Sequence, residues 1–155
     1  MDDERAGTAI GESAMAMADS ARQGDRSGPV LAPVSVGELI DKIVILEIKA
    51  AKISEPAKLA EVSKELNLLN EIEYGTSECR QDIKALKDEL RQINEKLWHI
   101  EDRIRDCERQ RDFGPDFVQL ARAVYITNDR RAALKRRINE VSGSVIREIK
   151  ALPTY

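Results

Sequence analysis

Residues 81–107 read QDIKALKDELRQINEKLWHIEDRIRDC, and this stretch decides the fold. Its apolar positions are Ile83, Leu86, Leu90, Ile93, Leu97, Ile100 and Ile104, alternately three and four apart. That alternation is the heptad seam of a long, packed, coiled-coil-like helix. Cys79 and Cys107 extend the series outward. A second stripe runs beside the seam: Trp98, Glu101, Arg105 and Glu108. Residues three and four apart share a helix face, so these four form a polar edge on the core. The rest of the chain is expected to pack on this helix, which is read from about Ser77 to Arg111.

Toward the C-terminus, Gly114-Pro115 makes a turn and a last helix is expected from Pro115 to about Lys150. Its seam reads Phe117, Leu120, Ala121, Val124, then Leu134, Ile138, Val141, Val145 and Ile149. Between the two halves the seam positions are Asn128 and Arg131, with Lys135 close by. Gly143 weakens this helix late and is a candidate kink.

Toward the N-terminus, Pro56 opens a short helix with the seam Leu59, Val62, Leu66 and Leu69, ended by Gly75 after Tyr74. Before it, Ser35-Val36-Gly37-Glu38 has the form of a capping box, with Val34 and Leu39 placed as a hydrophobic staple. The helix it opens runs to about Ile53. Val36, Leu39, Ile40, Ile43, Val44, Ala50 and Ala51 form its broad apolar face. Glu38, Asp41, Lys42, Lys49 and Lys52 are assigned to the opposite side. Glu47 falls in the middle of the apolar face, where a carboxylate is costly without a partner.

These polar interruptions invite pairing. Glu47, Glu101, Arg105, Glu108, Asn128, Arg131 and Lys135 are grouped as one polar cluster, with Glu47 and Arg131 meeting at its centre. The structural reading is a buried ion-pair network that fixes register; the functional reading is a pocket for an anionic small ligand. Glu38, Asp41, Glu101 and Asp102 resemble the paired acids of helical nucleotide pyrophosphatases, and GELIDKIVILEIKAAKI resembles the first helix of all-helical chorismate mutases. Any acid-rich helix offers such spacings. His99 lies one residue off the polar stripe, without a Ser or Cys at a telling spacing, and reads as a surface residue. Trp98 reads as a packing anchor. No catalytic residue, metal site or cofactor is expected.

Composition narrows the classes further. The chain has 155 residues, 34% of them charged, with a net charge of -3 and only 4% aromatics. That balance speaks against a nucleic-acid grip or a base-stacking platform. One His and two Cys fall short of the roughly four ligands of a structural zinc site. On a single helix the two Cys would sit roughly 42 Å apart, too far to bond, and reduced thiols suit a cytoplasmic protein. There is no apolar run of membrane-spanning length, and MDDER is not a signal peptide. Residues 1–32, rich in Ala, Gly, Ser, Asp and Arg, are expected to be a disordered tail, with residues 33–155 the bundle domain.

APVSVGELIDKIVILEIKAAKI and LWHIEDRIRDCERQRDFGPDFVQLARAVYITNDRRAALKRRINEVSGS resemble a family of small bacterial helical proteins described only as a domain of unknown function. The resemblance covers about residues 32–155. The chain departs from the family pattern at Val44, where Thr is usual, at His99, where Asp is usual, and at its last residues. The resemblance implies a link to surface-polysaccharide metabolism and no established activity.

The expectation is therefore an all-α antiparallel bundle: a long hairpin of the last two helices with two shorter helices packed on it. The leading functional expectation is a non-enzymatic cytoplasmic interaction module, a homo-oligomer or partner-binding protein without nucleic-acid or membrane contacts. The alternative is a binding protein or enzyme for a small anionic metabolite, such as a nucleotide or sugar nucleotide.

Overall fold

The computed structural model describes residues 30–72, 74, 79–147 and 149. Most of the expected tail therefore lies outside the described residues. Among those described there are helices and no strands: α1 (Val36–Lys52), α2 (Pro56–Asn70), α3 (Arg80–Gln110) and α4 (Pro115–Val141). The all-α class read from the sequence is the observed one. The helices belong to one unit within Pro33–Tyr155.

α3 and α4, joined by a short turn, pack on each other as a hairpin. α1 packs on both of them, and α2 packs on α1 alone among the described helices. This corrects the expectation that both short helices would sit on the hairpin. The reason lies in α1. Its buried positions, Gly37, Leu39, Ile40, Asp41, Ile43, Val44, Leu46 and Ile48, cover roughly 220° of the wheel at 100° per residue. A helix buried that widely takes the hairpin on one side and leaves the Leu46 side for α2. No residue of α2 is fully buried, and Lys42 Nζ meets Glu65 Oε1 at 2.6 Å across that contact.

The core joins Ile40, Val44 and Ile48 of α1 to Ile83, Leu86 and Leu90 of α3 and Leu134 and Ile138 of α4. Each fully buried aliphatic side chain contributes about 1.5–3 kcal/mol. Of the predicted α3 seam, Ile83, Leu86, Leu90, Leu97 and Ile100 are buried, while Ile93 and Ile104 are half-buried. Asn94 is buried in place of Ile93. A straight helix drifts against a strict heptad, so the buried stripe slides from Leu90 to Asn94 to Leu97.

The N-terminus of α1 is closed by side chains from two places. Ser35 Oγ accepts from Glu38 N at 3.2 Å, as the capping box predicts. Gly37 N donates to Asn139 Oδ1 at 2.7 Å, and Val36 N to Ser144 Oγ at 3.3 Å. The free N–H groups of the first turn are thus satisfied from the far end of α4. Gly37 allows this approach: a Cβ there would sit 2.5 Å from the Lys135 carbonyl oxygen and 2.9 Å from Asn139 Oδ1.

α4 stops at Val141, well before Lys150. Gly143 takes φ 67, Ser144 N donates to Asn139 O at 2.9 Å, and Gly143 N to Glu140 O at 3.3 Å. This is the paired bonding of a Schellman end, so Gly143 terminates the helix where a kink was expected. Val145 and Ile149, read as seam positions, are 97% and 88% exposed. α3 ends in the same way on a non-glycine residue, Arg111 at φ 54, with Asp112 N donating to Cys107 O at 3.0 Å and Arg111 N to Glu108 O at 3.1 Å. Neither Cys79 nor Cys107 is in a disulfide. No helix among the described residues is long and apolar enough to cross a membrane.

Candidate functional site

The polar residues singled out from the sequence separate into three sets. Glu47 is held by Lys87 Nζ at 2.8 Å and by Arg91 Nη2, both on α3. These three side chains are between 22% and 35% exposed, so the pair sits at the edge of the core. The expected Glu47–Arg131 pairing is therefore corrected: the Glu47 carboxylate turns toward the N-terminal half of α3, away from the cations of α4.

The buried carboxylate is Asp41. It is 1% exposed, although it was placed on the solvent side of α1. Its Oδ1 accepts from Arg131 Nε at 2.9 Å and from Asn94 Nδ2 at 2.9 Å, and its Oδ2 accepts from Arg131 Nη2. One carboxylate thus ties α1, α3 and α4 together through a two-point guanidinium contact. A signal was present: Gly37, Asp41, Val44 and Ile48 are spaced four, three and four, a seam in its own right. The unexpected breadth of α1 burial put that seam inside.

Lys135 Nζ meets Glu38 Oε2 at 2.5 Å, beside the closed N-terminus of α1. Glu101 accepts from Arg105 Nη2 at 2.9 Å within α3 on an exposed face. Glu108 is exposed beyond them. The paired acids Glu38, Asp41, Glu101 and Asp102 are not gathered around one point, since Asp41 and Glu38 are committed to cations of α4. No acidic, His or Cys group among the described residues is arranged to hold a metal ion. His99 is exposed.

Four of the seven predicted residues do share a place. A cleft of about 570 Å³ opens between α1, α3 and α4. Ile45 and Ile48 of α1 and Leu97 of α3 supply its apolar lining. One stripe of α3 forms a wall: Asn94, Trp98, Glu101, Asp102 and Arg105. Lys49 enters from α1, and Asn128 and Arg131 enter from α4. The polar edge read from the sequence, Trp98, Glu101 and Arg105, is thus the wall of a cleft, with Asp102 beside it. Glu47, Glu108 and Lys135 lie outside its lining.

The donors of this cleft are partly committed. Asp41 takes the Nε–Nη2 edge of Arg131, and Nη1 reaches Asn128 Oδ1 at 3.5 Å. The Asn128 NH2 group and the Lys49 ammonium have no acceptor among the described residues. Lys52 Nζ lies 5.8 Å from the centroid of the Trp98 ring, a cation–π contact. The cleft therefore has donors from α1 and α4, an apolar lining, and an α3 wall on which Arg105 stands with two carboxylates.

No curated protein and no solved structure matches the chain. Residues 31–155 match a family of unknown function, DUF6165, and the chain belongs to that family.

Proposed function

We propose that this protein binds a small anionic metabolite in the cleft between α1, α3 and α4. The observation that carries the reading is the convergence of Lys49, Asn128 and Arg131 on one cleft of about 570 Å³. Pockets of about 300–1,000 Å³ with an apolar lining and a few directed polar groups are the usual form of small-molecule sites. Arg131 is pre-set by the buried Asp41 and Asn94, so little side-chain freedom is lost when it meets an anion. Lys49 is the best probe, because its charge has no acceptor among the described residues. A thermal-shift screen with nucleotides, sugar phosphates, sugar nucleotides and dicarboxylates tests the reading. A specific rise in Tm for wild type, lost in Lys49→Ala, supports it; a flat response across the panel contradicts it.

A second reading, the helical interaction module, has its own observation. Phe113 and Val118, near the turn between α3 and α4, are 51% and 50% exposed. Phe113 stands edge-on to Phe117 with ring centroids 5.2 Å apart. Self-association through this end predicts a dimer mass in light scattering that Phe113→Ser lowers. A monomer at every concentration contradicts it.

A further inference from the structure

We infer that the ligand of the cleft is a phosphate ester of a hydroxyl-bearing ring, a glycosyl or nucleoside phosphate. This rests on the reading of the cleft as an anion site. Three features of the lining select this chemistry.

The donor end comes first. Lys49 approaches from α1 while Asn128 and Arg131 approach from α4. Donors that arrive from different helices suit a tetrahedral group with three outer oxygens better than a flat carboxylate with two. Size comes second. An inorganic phosphate at that end would leave most of the about 570 Å³ to water. Sites of this volume bury ligands the size of a ring with substituents.

The third feature is the wall. Trp98 gives a flat aromatic surface beside Ile48 and Leu97, suited to the face of a ring. Beyond it stand Glu101 and Asp102, which are exposed, with Arg105 at 2.9 Å from Glu101 Oε2 and 3.7 Å from Asp102 Oδ1. Two carboxylates against one guanidinium leave this wall net negative, which disfavours a second anion, whereas ring hydroxyls donate to the carboxylate oxygens that Arg105 does not take. Asn94, next to Arg131 through Asp41, and Glu101 are two turns apart on α3, about 10 Å along the axis at 1.5 Å per residue. That length matches a phosphate at one end of a ring and hydroxyl groups at the other. The arrangement reads both ends of one molecule.

Calorimetric titration of the full chain tests this with four probes: inorganic phosphate, phenyl phosphate, glucose 1-phosphate and uridine monophosphate. Phenyl phosphate has the anion and a flat ring but no ring hydroxyl. At least one of the two hydroxyl-bearing probes is expected to bind about tenfold or more tightly than phenyl phosphate. The Glu101→Gln, Asp102→Asn double variant is expected to erase that margin, while any gain from the two lost charges falls on phenyl phosphate and the hydroxyl-bearing probes alike. Lys49→Ala is expected to weaken every phosphate. Which hydroxyl-bearing probe binds better tells the sugar source from the nucleoside source. Phenyl phosphate binding as tightly as both hydroxyl-bearing probes, or a margin indifferent to the double variant, overturns this inference and leaves the anion site standing. No binding by any of the four overturns both.

Discussion

Asp41 and Arg131 carry the largest single electrostatic stake in this protein. The carboxylate is 2% exposed at its side chain and the guanidinium 26%. The two halves of the pair should therefore respond unequally. Arg131→Ala leaves a charge sealed in the core and is expected to cost about 3–5 kcal/mol in urea melts. Asp41→Ala is expected to cost less, because Arg131 can turn its freed edge to the water of the cleft. Glu47 behaves differently. Its pairs with Lys87 and Arg91 are partly solvated, so Glu47→Ala is expected to cost about 1 kcal/mol. The effects of Glu47→Ala and Arg131→Ala are expected to add, since the two residues share no partner among the described contacts. A coupling above about 1 kcal/mol in that cycle would show that the two sets communicate. The sequence revealed that a carboxylate lay among apolar residues of α1 but singled out Glu47 rather than Asp41. A wheel locates the centre of an apolar face; it does not report how far burial extends around a helix gripped from several sides.

At the scale of the helices, the starts were legible and the ends less so. Ser35, Pro56 and Gly114-Pro115 mark starts that the structure keeps, because caps and prolines act locally. The end of α4 depends on Gly143 adopting positive φ and on Ser144 closing back on Asn139, which the apolar spacing beyond it masked. The contact between α1 and α4 was expected through Glu47 and Arg131 but is made elsewhere, by Asp41 with Arg131 and by Gly37 with Asn139, a pairing that no local signal marks. Gly37→Ala tests it. Alanine favours helix by about 1 kcal/mol, but its methyl group would press on the Lys135 carbonyl. A backbone atom cannot swing aside, so a net loss of about 1–3 kcal/mol is expected in thermal or urea unfolding. Arg111 offers the opposite sign. An L-residue at φ 54 carries about 1 kcal/mol of strain that glycine lacks. Arg111→Gly is expected to raise stability by about that amount, with the midpoint shifted and the denaturant slope unchanged.

For the molecule as a whole, the long hairpin dictated the class, and α1 dictates what the hairpin does. α3 has 31 residues, about 46 Å at 1.5 Å per residue, and α1 has 17, about 26 Å. Ile45, Ile48 and Lys49 of α1 and Asn128 and Arg131 of α4 stand around the α3 stripe from Asn94 to Arg105 without filling the space between them, and the cleft results. The polar edge in the sequence was therefore the mark of a cleft wall. Its position was readable from spacing; its emptiness depended on which α1 and α4 side chains stand opposite, which spacing along one helix does not report. An anionic ligand is expected to occupy this space. Trp98 is the sole tryptophan of the chain and lines the cleft, so its indole N–H gives a single reporter peak in a nitrogen–proton correlation spectrum. Titration with glucose 1-phosphate and uridine monophosphate is predicted to move that peak saturably for at least one of them, together with the Asn128 side-chain amide, and the movement is predicted to vanish in Lys49→Ala. An indole peak that stays fixed at millimolar concentrations of both, or that moves equally in Lys49→Ala, would contradict the account.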